Sequence, residues 1–550
     1  MNARLVATVS LVALASCSEG PDAWFREEAR ERGLVFHQDS GHAEAFYMPE
    51  IMSGGAALFD MDGDGDLDAY LVQAGSLTGG ELAPNRLFEN LGRGRFRDAT
   101  DGSGAEDRRY GNGVACGDVD EDGDTDLYVT NTGRNTLLLN QGGGKFRDAT
   151  LEAGVGHEGW GTSAAFLDAD GDGDLDLFVT NYLDWSVETE LPCMDALSRP
   201  DYCSPKNYQT PARDVFYRNL GGGRFADESE ASGVHAQPSN GLGVGCADFD
   251  GDGNVDVFVA NDGMADHLWL GRGDGTFANV ALQWGCATDV NGLKKAGMGV
   301  AVGDVDGDLD PDLLVCNLEG ESDSLFLNQG GYFADGTARG GLAAVSKSFT
   351  RFGMGWVDFD QDGLLDLFQA NGRVQRVRST TRAGVDDPYA EENLLFRATA
   401  PGRFEEVLPR GGTAEPILAT SRAAAFGDVD GDGAIDVLVV NRDGPAQLYL
   451  NRVERRGRWI AFCVRERSGR DALGATVTVT TAGGSQRRDV RAAYSYQASN
   501  DPRVHFGLGG ASAVDSVEVR WADGVLERFG STGGFGADRV HELRRGTGSE

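Results

Sequence analysis

The chain has 550 residues, with 87 acidic against 49 basic side chains and a net charge of -38. That length exceeds one ordinary domain and points to two domains or one large repeat array. The charge excludes nucleic acid as a partner, because phosphate binding needs a basic face. Apolar residues make up 40% of the chain, enough for real cores, and 80 glycines without a collagen period imply many tight turns.

Residues 1–16 read as an export signal: Arg4 is the positive end and Leu5 to Ala15 the apolar stretch. That stretch is too short to cross a bilayer, which takes about 20 residues. Leu14-Ala15-Ser16-Cys17 resembles the bacterial lipobox, which implies cleavage before Cys17 and its lipidation. Ser18 follows where an aspartate would signal inner-membrane retention. The expectation is an exported protein, lipid-anchored on a bacterial envelope (the outer membrane if Gram-negative) with residues 17–32 as a tether. The alternative is plain secretion with an incidental cysteine.

An aspartate loop then recurs seven times. The first copy carries Asp60, Asp62, Asp64, Asp66 and Asp68, the second Asp118, Asp120, Asp122, Asp124 and Asp126, and the third Asp168, Asp170, Asp172, Asp174 and Asp176. The fourth carries Asp248, Asp250, Asp252, Asn254 and Asp256, and the fifth Asp304, Asp306, Asp308, Asp310 and Asp312. The sixth carries Asp358, Asp360, Asp362, Leu364 and Asp366, and the seventh Asp428, Asp430, Asp432, Ala434 and Asp436. A short apolar run precedes each loop, another follows it and ends on an amide, and stretches such as "RLFENLG" and "RFRDAT" complete the unit. Four short β-type runs, A to D, separated by turn signals, make one β-propeller blade, with the aspartate loop between A and B.

The sequence therefore predicts an all-β protein: a seven-bladed β-propeller over residues 33–454 followed by a small C-terminal β domain. The seventh unit lacks a "GRFRDAT"-like run, so residues 33–41, "GLVFHQDSG", are expected to supply its closing strand. Closure of that kind removes sheet edges.

Five carboxylates in one tight loop repel unless a cation holds them: two like charges 4 Å apart cost about 4 kcal/mol at an effective dielectric of 20. Hard oxygen donors at loop positions 1, 3, 5 and 9, with glycine at position 6 in six copies, suit Ca2+. Position 7 varies through Asn254, Leu364 and Ala434, as expected where a backbone carbonyl ligates. An EF-hand would need a glutamate at position 12, where this chain has Leu71, Val129, Val179, Val259, Val315, Gln369 and Val439. The fifth copy departs from the pattern with Leu309 at position 6 and Pro311, which puts its site in question. Together these motifs resemble the FG-GAP/VCBS repeat over Gly54 to Asn451. The resemblance implies a seven-bladed propeller with up to seven structural calcium ions in the A–B hairpins.

Both long insertions fall between strands B and C, on the face opposite the aspartate loops. One, Tyr182 to Arg213, holds Cys193 and Cys203, which are expected to form a disulfide in an exported protein. The other carries Arg373, Arg376, Arg378 and Arg382, a candidate site for an anionic sugar or acidic protein surface; its alternative is a solvated loop with locally paired arginines. Cys116, Cys246 and Cys316 read as inert core residues, while Cys286 and Cys463 stay unassigned. Arg272-Gly273-Asp274 is explained by the turn that contains it.

Residues 457–545 read as alternating strands with glycine turns. Gly474-Ala475, Tyr496, Asn500-Asp501, His505 to Gly509 and Val517 to Trp521 are similar to the ASPIC/UnbV domain, which follows such repeats in the cartilage acidic protein family. The leading expectation is a monomeric, calcium-stabilised binding protein whose partner is an unknown protein or glycan. The rivals are a lyase or hydrolase acting on polysaccharide and an envelope scaffold. No nucleophile–base pair stands out, and Asp501 with His505 is the one pair that invites a catalytic reading.

Overall fold

The computed structural model describes residues 23–80, 82–376, 387–454, 456–530 and 534–549. The signal segment, Cys17, Arg378 and Arg382 lie outside the described residues.

Seven antiparallel units of four strands follow the repeats. Unit 1, for example, runs Ala56–Phe59, Asp68–Leu71, Arg86–Asn90 and Phe96–Asp98, and unit 5 runs Val300–Gly303, Asp312–Val315, Ser324–Asn328 and Phe333–Asp335. Each aspartate loop is the A–B hairpin, and its last aspartate is the first residue of strand B. The inner strands neighbour one another in cyclic order, and the last, Ser421–Gly427, packs against the first, Ala56–Phe59. The result is a propeller. Units 2 and 3 are further joined by a ladder between Thr132–Arg134 and Glu158–Trp160.

The inner strands crowd the axis, which explains their small residues. A Cβ on Gly299 would lie 2.0 Å from the Phe352 carbonyl oxygen of the next unit, and one on Gly113 would lie 2.3 Å from that of Thr162. Outward from the axis, the faces between units fill with Val, Leu and Phe, as in the cluster of Phe249, Phe258, Val300, Val302, Leu313 and Phe326.

The closing strand differs from expectation. Phe25–Glu27, from the segment expected as a tether, pairs antiparallel with Gln447–Asn451 and completes unit 7. The Phe25 ring packs edge-on against Phe359 and Phe368 at 5.0 and 5.9 Å, which fixes its register. Residues 33–41 instead run as irregular chain with a single bridge, His37 to Pro445, while Leu34 and Phe36 sit in the core between units 7 and 1.

The C-terminal domain is two packed sheets. Arg458–Arg465 lies between Val504–Gly509 and Val540–Arg544, and Thr476–Thr481 lies between Gly484–Asp489 and Ser516–Arg520, with Leu526–Phe529 outermost. Ile460, Phe462, Val477, Val479, Phe506 and Val519 fill the space between them. From this sandwich, residues 492–503 descend into the propeller axis. Ala498–Ser499 pairs in parallel with Ala56–Ala57, and Ser495 bridges to Val300.

Candidate metal centres and the plugged channel

Backbone amides shape every aspartate loop in the same way. In unit 1, Asp60 accepts the N–H groups of Gly63 (2.8 Å) and Gly65 (3.0 Å), while Asp64 accepts that of Asp66 at 2.8 Å. Asp68, at position 9, accepts the N–H of Met61 at 2.9 Å and that of Asn90, from strand C, at 2.7 Å. Asn254, Leu364 and Ala434 keep the same place in the turn by donating their N–H to Asp252, Asp362 and Asp432. The fifth loop conforms despite its departures: Leu309 takes a left-handed φ of 74° and donates its N–H to Asp304 at 3.2 Å.

Carboxylate oxygens thereby converge. Asp60, Asp62 and Asp68 bring ligand atoms within 4.8 Å of one another, as do the triads Asp118–Asp120–Asp122, Asp168–Asp170–Asp172, Asp248–Asp250–Asp256 and Asp304–Asp306–Asp308, and two further groups. Several inward oxygens are buried and accept no hydrogen bond: Oδ1 of Asp118, Asp120, Asp306, Asp360 and Asp430. Burial pushes the position-9 carboxyls of Asp68, Asp126, Asp176, Asp256 and Asp312 up to about 8, against the amide bonds that favour their charge. All-oxygen donors with orphaned lone pairs fit a hard divalent cation. In units 3, 6 and 7 an arginine also salt-bridges the position-3 aspartate from outside: Arg218 to Asp170, Arg397 to Asp360 and Arg452 to Asp430, at 2.7–2.8 Å.

The loops also fasten the ring, through residues whose role the sequence hid. The amide of Asn140 donates to the Met61 carbonyl of the preceding unit at 2.9 Å. Asn219, Asn328 and Asn451 reach Val119, Phe249 and Phe359, and Asn90 reaches Val429, which closes the ring. Units 4 and 6 have Gly271 and Ala398 at this position, and there the backbone N–H groups of Gly275 and Gly402 reach Ala169 and Val305 instead. The signal was present in the recurrent asparagine that ends "LFEN", "LLLN", "FYRN", "LFLN" and "LYLN".

The channel is filled by the chain itself. Ser495 Oγ donates to the Ala424 carbonyl (2.8 Å) and accepts the Met354 N–H (2.9 Å); Ser499 Oγ accepts that of Cys116 (3.1 Å). Asn500 Oδ1 accepts the Phe426 N–H at 3.0 Å, and the Tyr496 hydroxyl donates to the Met52 carbonyl at 2.8 Å. Met52 belongs to the segment that closes the axis from the other face, where Ile51 and Met48 are also buried.

On that face the long loops are internally engaged. The Cys193–Cys203 disulfide forms. Arg373 pairs with Glu319 and Glu391 at 3.3 and 3.0 Å, and Arg376 lies over the Phe46 and Tyr389 rings while its N–H donates to Asp201. Beneath them Glu50 is gripped by His42 (2.7 Å) and the Tyr202 hydroxyl (3.0 Å), with Arg442 donating to that hydroxyl at 2.6 Å. Asp501 and His505 do not form a catalytic pair: Asp501 holds Arg503, while His505 stacks on Trp459, contacts the Gly433 carbonyl at 2.9 Å, and is pushed by burial down to about 4. Asp274 caps Thr276 within its own turn. Cys116, Cys246, Cys286, Cys316 and Cys463 are free thiols, all at least partly buried.

Comparison with known proteins agrees with this geometry. Residues 465–550 match the ASPIC and UnbV family, and residues 60–129, 118–179, 248–315 and 304–368 match the FG-GAP-like repeat. Cartilage acidic protein 1 of Xenopus tropicalis is 29% identical over 286 residues, 49% of this chain and 40% of that protein. The Mus musculus protein of the same name is 28% identical over 360 residues, covering 54% of each. Among solved structures, the BP39L lectin from Burkholderia pseudomallei aligns over 73% of this chain and 97% of its own, at 12% identity and a TM-score of 0.44. The chain spans about half the length of the curated relatives it matches. It is a propeller of FG-GAP-like repeats followed by an ASPIC and UnbV domain, with cartilage acidic protein 1 among its relatives.

Proposed function

We propose that the chain is an exported, calcium-braced binding protein, in which calcium is structural and recognition of a protein or glycan is the activity. The observation that carries the calcium reading is the repeated loop geometry with buried carboxylate oxygens that no hydrogen bond satisfies. The position-1, -3, -5 and -9 aspartates would hold the ion, and it would supply the positive charge that lets them stay ionised. The axis is filled by Tyr496 and its neighbours, which speaks against turnover in the channel and leaves the loop face as the place for recognition or for the rival enzyme's site. The disulfide suits a protein that folds in an oxidising compartment. Lipidation at Cys17 is part of this reading; palmitate labelling that survives Cys17→Ser would remove it.

The face opposite the aspartate loops is the proposed contact face, and Arg378 and Arg382, which lie outside the described residues, are its candidate anion-binding residues on sequence grounds. Screening arrayed glycans and extracellular proteins in the presence of calcium tests this. Capture that Arg378→Ser with Arg382→Ser abolishes, at an unchanged melting temperature, supports recognition on that face. Turnover of a captured polysaccharide would make the protein an enzyme instead.

A further inference from the structure

The C-terminal domain does not treat the seven loops alike. It donates to the position-6 carbonyls of units 3, 5 and 7: Arg470 to Gly173, Arg487 to Leu309 (2.9 Å) and His505 to Gly433 (2.9 Å). In unit 6 the N–H groups of Gly457 and Gly509 bond the carbonyls of Asp360 (2.8 Å) and Gln361 (2.9 Å). Gly524 packs on Gly253 of unit 4. Among the described residues no hydrogen bond runs from the domain to residues 59–68 or 117–126, the loops of units 1 and 2. Those two instead border a crevice of about 280 Å³ whose far wall holds Cys463, Arg465, Asp471 and Asp501. Gly65 and Gly123 are exposed, whereas every other position-6 residue is at least partly covered.

Arginines of the C-terminal domain approach these two loops without bonding them: Arg465 and Arg503 line the crevice with Asp60 and Asp118, and Arg470 comes within 3.7 Å of Glu121.

We propose that the loops of units 1 and 2 are the calcium-responsive part of the molecule, and that the C-terminal domain holds the loops of units 3 to 7 in place with or without the metal. The inference rests on the calcium reading. Bonded carbonyls keep the loops of units 3, 5, 6 and 7 from opening when the ion leaves, and among the described residues no such bond reaches the loops of units 1 and 2. Loss of calcium would then reshape one wall of the crevice and leave the rest of the ring standing.

Hydrogen exchange on the full chain, with and without excess chelator, tests this, with bound calcium measured by elemental analysis on the same samples. Exchange across residues 59–68 and 117–126 is expected to speed up by about tenfold or more on chelation, while residues 303–312 and 427–436 change by less than about threefold. Arg487→Ala is expected to move the fifth loop into the responsive class. Uniform loosening of all loops would overturn the inference and leave the calcium reading intact, whereas no loosening despite measured loss of calcium would overturn both. A protein that never binds calcium would overturn both.

Discussion

Asn140 shows how much one side chain carries in this ring. Its amide ties the Met61 carbonyl of unit 1 and the Thr125 carbonyl of its own loop, while its backbone N–H ties Asp126, and Asn140, Met61 and Asp126 are all buried. Asn140→Ala leaves the Met61 carbonyl buried without its partner, which costs about 1–3 kcal/mol. Urea denaturation of the two proteins should show that loss as a lower midpoint with an unchanged slope. His267 gives a second residue-level test. It is buried at 5% exposure beside Trp269, its Nδ1 finds no partner among the described residues, and burial pushes its pKa down to about 4. The unfolded chain protonates it near pH 6.5, so its contribution is complete above that pH and is lost as pH falls toward about 4. The stability of the native protein minus that of His267→Phe should therefore fall between pH 7 and 4, by an amount on the order of 2 kcal/mol. A constant difference would mean that His267 titrates normally.

At the scale of elements, legibility followed the range of the interactions. The aspartate hairpins were readable because their aspartates, turn residues and following strand lie within about a dozen positions, and a polar alternation ending in an apolar run has few other meanings. The disulfide pair was readable for the same reason, ten residues apart in one loop. The closing strand was not. "WFREE" at Trp24 to Glu28 carries the Phe-Arg-acid character of the unit 1 strand Phe96–Asp98, but it lies beside an export signal, and only the Phe359–Phe368 pocket gives Phe25 its place. The plug left even less trace. Ser495, Gln497, Ser499 and Asn500 bond strands of units 7, 3, 2 and 7 in turn, so nothing local in "YSYQASN" marks it as an axial segment. Arg373 and Arg376 stood out by charge in an acidic chain, yet Glu319, Glu391, Phe46 and Tyr389 engage them, which removes them from the exposed cationic set.

Over the whole molecule, three devices close the ring: the Phe25–Glu27 strand joins the ends, the asparagine and glycine links join each loop to the next unit, and residues 492–503 tie the inner strands from within. All three converge on the aspartate loops or on the strands they connect, so the state of those loops governs the stability of the ring. The central claim is that calcium braces these loops, above all those of units 1 and 2, which the C-terminal domain leaves unbonded among the described residues. Thermal unfolding of the full chain in millimolar calcium, compared with excess chelator, tests it most directly. The account predicts a melting temperature lowered by roughly 5–15 °C on chelation and restored by calcium but not by the same concentration of magnesium, which demands near-ideal octahedral geometry and dehydrates reluctantly. Superimposable melting curves in calcium and chelator would contradict it.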